Sequence, residues 1–102
     1  MKPQVSDNGE VTIEISGRFD ASCRREFDTA AKEAIGMAAS RVTLDLKNVV
    51  YLDSSALGAL LKIREDAKKA GKTIVLQRPA PEVRQILQIA NFGRLFEIVE
   101  EH

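Results

Sequence analysis

Val11-Thr12-Ile13-Glu14-Ile15 alternates apolar and polar residues, the period of a half-buried strand. Turn chemistry at Ser6-Asp7-Asn8-Gly9 precedes it, so a short strand at Gln4-Val5 is expected to pair back as a hairpin. Gly17-Arg18-Phe19-Asp20 then breaks the alternation. From Ser22 to Ala38 the apolar residues Cys23, Phe27, Ala30, Ala31, Ala34, Ile35 and Ala38 form a helical stripe, with Asp20 or Ser22 as N-cap. Its many alanines imply close packing on whatever lies beneath. Arg41 to Leu46 alternates again, with Val42, Leu44 and Leu46 on one face, as suits a central strand.

A polar step at Lys47-Asn48 separates that strand from Val49-Val50-Tyr51-Leu52, which leads into Asp53-Ser54-Ser55. Leu57, Leu60, Leu61, Arg64 and Ala67 mark a second helix, closed by Gly71. Lys72 to Gln77 reads as a buried strand. Pro81 suits the first turn of a third helix with the stripe Val83, Ile86, Leu87 and Ala90, ended by Asn91 and Gly93. Phe96 to Val99 is a last short strand. The order β-β-α-β-α-β-α-β predicts an α/β fold: a mixed, mostly parallel sheet with one layer of helices, and an antiparallel hairpin at its start. No linker or repeat interrupts residues 1–102, which are expected to form one domain.

Composition narrows the function classes. The apolar share of 44% supports an ordinary globular interior. Fifteen basic and fifteen acidic residues leave no overall field to favour nucleic acid or an anionic membrane. No apolar run approaches the roughly 18 residues needed to span a bilayer. The N-terminal residues do not resemble a signal peptide, so a soluble cytoplasmic protein is expected. Cys23 is the only cysteine, which excludes an intramolecular disulfide and is read as a small buried hydrophobe. The only histidine, His102, sits at the terminus and reads as a terminal or tag-like residue. Ser54 therefore lacks a triad-type base, and no phosphate loop, metal-ligand cluster or cofactor motif is present. Gly71-Lys72-Thr73 lacks the earlier glycine of a P-loop and reads as a helix-ending turn. No enzymatic activity, metal or cofactor is expected.

The chemistry concentrates at Asp53-Ser54-Ser55-Ala56-Leu57-Gly58, between a strand and a helix. Recognition sites in open α/β sheets gather at the carboxyl ends of strands, and a helix opening presents free N–H groups and partial positive charge. The three polar residues also make an ordinary capping cluster. Phosphorylation of a hydroxyl here would add roughly −1.5 to −2 charges at pH 7. Gly58, inside the helix, hints at close packing or partner contact. A response-regulator receiver domain would need an acidic cluster after the first strand, where Ser16-Gly17-Arg18 stands instead.

Tyr51 to Leu61, read as Tyr-Leu-Asp-Ser-Ser-Ala-Leu-Gly-Ala-Leu-Leu, resembles the signature of STAS domains of the anti-sigma factor antagonist family. Gly17-Arg18-Phe19-Asp20, Leu44-Asp45-Leu46, the segment Pro81 to Leu87 and Asn91-Phe92-Gly93-Arg94-Leu95-Phe96 fit the same resemblance, which covers nearly the whole chain. It implies a bacterial partner switch. Ser54 would be phosphorylated by a serine kinase that is also the anti-sigma factor, and a serine phosphatase would reverse the reaction. The partner surface would comprise Gly17, Phe19, Asp20, Asp53, Ser54, Ser55, Ala56, Leu57 and Gly58. Ser55 would help cap the helix and Asp53 would shape the site. A monomer binding other proteins is expected, with no nucleic acid or membrane among its partners. An unmodified STAS subunit of a transporter or other complex is the alternative. Ala56 departs from a frequent family glycine, implying a stiffer turn. With few residues after Val99, little room is left for the family's C-terminal helix, so the final strand and one helical face are expected to be more exposed.

Overall fold

In the computed structural model, which describes residues 1–100, five strands lie in the order of the chain. Strand β1 (Gln4–Val5) runs antiparallel to β2 (Val11–Phe19). Strands β3 (Arg41–Leu52), β4 (Thr73–Gln77) and β5 (Glu97–Val99) follow, each parallel to its predecessor. Helices α1 (Arg24–Met37), α2 (Ser54–Lys69) and α3 (Pro81–Ile89) supply the crossovers. Crossovers of one hand between consecutive parallel strands bring every helix to the same face of a sheet. The core agrees: Ile13, Leu44 and Leu76 share one cluster with Phe27, Leu60 and Leu87. On the opposite face Thr12, Thr43, Val75 and Glu97 lie in one row across four strands.

The expected order of elements holds, including the Gln4-Val5 hairpin. Two expected interruptions do not. The segment Gly17 to Phe19 continues β2, and Lys47-Asn48 lies inside an unbroken β3. Bulges absorb both irregularities. Glu14 pairs with Asp45 but Ser16 with Asn48, and Gly17 pairs with Val49 but Arg18 with Tyr51, so β3 carries the extra residue each time. The first bulge is held by Asp45, whose carboxylate accepts from the Lys47 amide at 3.1 Å and from Arg78 Nη2 at 2.6 Å. At the second, Gly17 takes φ +76°, a conformation that L side chains resist.

The buried stripe of α2 is Ala56, Ala59, Leu60, Ile63 and Ala67. The helical periodicity predicts Leu57, Leu61 and Arg64 on it, yet Leu61 is exposed and the other two only partly buried. Alanines facing inward beside Leu60 and Ile63 let the helix settle close to its neighbours, and Leu57 and Leu61 lie at the rim. A single 3₁₀ turn at Ala21–Cys23 precedes α1, so Cys23 is half-buried against the core edge rather than inside a helix. Pro81 opens α3 as expected, and Asn91, at φ +61°, turns the chain after it. Gly71, at φ +74°, follows α2, where the Lys72 amide reaches back to the Ala67 carbonyl at 2.8 Å. Ile98 and Val99 of β5 are partly buried, whereas Ile89 of α3 is 77% exposed. His102 lies outside the described residues.

Candidate functional site

Two strand-to-helix turns meet at the carboxyl ends of β2 and β3. They are joined directly: the Asp53 amide donates to the Phe19 carbonyl at 3.4 Å. Each turn is capped by an aspartate. Asp53 has the extended backbone of an N-cap, and its Oδ1 accepts the Ala56 amide hydrogen at 3.0 Å. Asp20 accepts from the Ser22 amide at 3.0 Å and from the Ser22 hydroxyl at 2.5 Å. Those two bonds, the hydroxyl first, hold the Asp20 carboxyl below its ordinary pKa, with Arg18 adding a smaller effect.

Ser54 is the first residue of α2 and is exposed. Among the described residues its hydroxyl makes no hydrogen bond, and neither does that of Ser55. The capping role expected of Ser55 therefore belongs to Asp53. The physical reason is position: Ser55 is already inside the helical turn, where its side chain cannot reach the N-cap acceptor geometry. The Ser55 carbonyl has a different task. It accepts from Arg24 Nη1 at 3.3 Å, and the same guanidinium holds Asp28 at 3.2 Å, tying α1 to the first turn of α2. Gly58 lies beneath this bridge, where an added Cβ would stand 3.9 Å from Arg24 Nη1, an ordinary contact.

The nine residues expected to form the partner surface divide in two. Ser54 is exposed, and Gly17, Asp20, Asp53, Ser55, Leu57 and Gly58 are partly accessible. Phe19 and Ala56 are buried, at 0% and 1% exposure, so they support the turns from below and cannot be touched by a partner. Phe19 packs against Phe27 with ring centroids 5.0 Å apart, and Ala56 belongs to the same core cluster.

Three residues outside the expected partner surface adjoin it. The Arg18 guanidinium stands 4.1 Å from the centroid of the Tyr51 ring and pairs with Asp20 at 3.3 Å. Val50, beside Tyr51, is 72% exposed. The bulge at Gly17 is what brings Arg18 opposite Tyr51 instead of Val50. Their only signal in the sequence was an apolar pair falling out of step with the buried residues of the strand. The resulting surface offers an exposed hydroxyl, an aromatic ring carrying a cation and a bare aliphatic side chain. Among the described residues no group of three or more His, Cys, Asp or Glu side chains could hold a metal ion. Among them, too, no helix is long and apolar enough to cross a membrane.

Comparison with known proteins places this geometry. The family model described as "Mlab, STAS domain" matches residues 4–100. A STAS-domain containing protein of Pseudomonas aeruginosa strain UCBPP-PA14 is 45% identical over 93 residues, 91% of each chain. Among solved structures, a sulfate transporter family protein from Wolinella succinogenes superposes with TM-score 0.81 at 19% identity, over 96% of this chain and 82% of that one. The anti-sigma factor antagonist SpoIIAA in its unphosphorylated form gives 0.74 at 16% identity, over 99% and 87%. The Bacillus SpoIIAA in its phosphorylated form gives 0.65 at 19%, over 95% and 88%. At these identities the structures speak to the fold alone, which they share. With the family model spanning nearly all of its length, and a relative of 45% identity beside it, the chain belongs to the STAS domain family.

Proposed function

We propose that this protein is an anti-sigma factor antagonist that works by partner switching in a bacterial cytoplasm. Unmodified, it binds an anti-sigma factor that is also a serine kinase. That kinase phosphorylates Ser54, the complex dissociates, and a serine phosphatase restores the binding form. The domain itself catalyses nothing. It acts as a monomer whose contact surface is the pair of capped turns: Gly17, Asp20, Asp53, Ser54, Ser55, Leu57 and Gly58.

One observation carries this reading: the Ser54 hydroxyl is exposed and idle while Asp53 performs the capping. Phosphate can therefore be added without removing a bond that the fold uses. The dianion would gain from the helix opening, by about 0.3–1 kcal/mol for an exposed group, and lose from the adjacent Asp53 carboxylate. The fold is left largely indifferent. A partner surface fitted to a neutral hydroxyl is not, because burying the dianion without a cation costs several kcal/mol. The fold shared with SpoIIAA, known in phosphorylated and unphosphorylated forms, supports the same reading.

The test is incubation with a candidate kinase and ATP, followed by mass spectrometry and a binding measurement. Phosphate on Ser54, with partner affinity lost in Ser54→Asp and kept in Ser54→Ala, is the expected result. A second reading, a constitutive subunit of a transporter complex, draws support from the fold shared with the sulfate transporter family protein. Equal partner binding by both variants would favour it.

A further inference from the structure

Helices α1 and α2 enclose an open groove of about 1100 Å³ that contains neither Ser54 nor Ser55. Its apolar floor includes Ala31, Ile35 and Ile63. Its rims carry four cations, Arg24, Arg25, Lys32 and Lys62, and two carboxylates, Asp28 and Asp66. Both carboxylates are already neutralised within the fold. Arg24 pairs with Asp28 at 3.2 Å and Lys62 with Asp66 at 2.9 Å. Among the described residues Arg25 and Lys32 have no ionic or hydrogen-bonding partner, and both are exposed. The groove thus holds a local surplus of two positive charges in a chain whose formal net charge is zero.

We propose that this groove docks an acidic amphipathic helix of a protein partner. Arg25 and Lys32 stand seven residues apart on one helix, about 10.5 Å along its axis at 1.5 Å per residue. Thr29 lies between them on the same rim. A second helix laid alongside, with carboxylates two turns apart, meets both cations while its apolar stripe covers the partly buried Ile35 and the methylene stems of the rim cations, above buried Ala31 and Ile63. The 14 residues of α1 give a bed about 21 Å long, enough for nearly four turns. An acyl chain fits less well, because the groove is open along its length and its rims are charged. A nucleotide would find neither an aromatic platform nor a glycine-rich loop among the lining residues. Ser54 does not line the groove, so the groove adds a second contact surface beside the capped turns.

The experiment is a titration of the ¹⁵N-labelled full chain with a synthetic helical peptide of about 18 residues, bearing an apolar stripe and glutamates at seven-residue spacing. Lysine replaces glutamate in a control peptide, and dodecanoate serves as an acyl probe. Expected are amide shifts confined to residues 24–35 and 62–66, with Thr12 and Thr43 on the opposite face of the sheet unmoved. Affinity should fall about tenfold or more in the double variant Arg25→Glu, Lys32→Glu, fall with added salt, and stay unchanged in Ser54→Ala. Equal affinity for the acidic and basic peptides, or shifts mapping elsewhere, would overturn the proposal. So would saturation of the groove by dodecanoate when the acidic peptide does not bind. Ser54→Ala leaves the groove untouched, so a failure here is distinguishable from a failure of the phosphoswitch.

Discussion

The Asp53 carboxylate accepts the Ala56 amide hydrogen at 3.0 Å, while the neighbouring Ser54 hydroxyl projects into solvent without a partner. Adjacent polar residues at one helix opening therefore divide the work. The aspartate holds the helix, and the serine is left available for chemistry brought by another protein. Had the serine been the cap, its modification would have displaced a bond that the first turn of α2 uses, worth about 0.5–2 kcal/mol. The Asp53 amide also reaches the Phe19 carbonyl at 3.4 Å, which links this turn to the one that follows β2.

This division predicts unequal mutational costs. Asp53→Ala should destabilise the protein by about 0.5–2 kcal/mol, the usual loss for an N-cap. Ser54→Ala should stay within about 0.5 kcal/mol of the parent, because an exposed and unbonded hydroxyl contributes little. Urea denaturation of the three proteins checks this. A large loss in Ser54→Ala would mean that the hydroxyl is structural.

Phe19 should act through folding rather than contact. Truncating a fully buried phenylalanine costs about 3–5 kcal/mol, so Phe19→Ala should lower the melting temperature sharply. Phe19→Leu keeps most of the volume and should bind any partner of the turn surface with parental affinity once folded. Thermal denaturation followed by a binding titration on Phe19→Leu separates the two roles.

Gly58→Ala should stabilise the fold. The added methyl meets only Arg24 Nη1 at 3.9 Å, and glycine in a helix is about 1 kcal/mol worse than alanine. A gain of about 0.5–1 kcal/mol in chemical denaturation is expected. If partner affinity drops in this more stable variant, the glycine serves close approach of the partner.

The Asp20 cap should depend on pH at the acid end. Its folded pKa is lowered, so the stabilisation is present above the unfolded value and is lost as pH falls through the folded one. The window lies below the ordinary aspartate value of about 3.9. Ser22→Ala removes the largest cause and should move the Asp20 titration midpoint, followed by NMR of its side-chain carboxyl, back toward that value. No movement would mean that the Ser22 hydroxyl does not hold the carboxylate.

Much of the architecture could be read from residue order. Alternation at Val11 to Ile15 and Val42 to Leu46, the helical stripes, and the glycine and proline punctuation depend on neighbours along the chain, which a sequence displays directly. What misled was local polarity. Gly17 and Lys47-Asn48 look like breaks, but both strands run on through them, with two bulges in β3 absorbing the irregularity. Buried Asp45 gained its place from Arg78, 33 residues away.

The candidate site divides along the same line. The Asp-Ser-Ser run and its position before an apolar helix were written in the chain, and they located the helix opening without any coordinates. Which of the three would cap was not, because that depends on the backbone conformation at Asp53. Nor was the burial of Phe19 and Ala56, the cation held over Tyr51, or the charged groove between α1 and α2. Periodicity sets which face of an element is apolar. Only packing decides what covers that face, and which polar groups remain in water to meet another molecule.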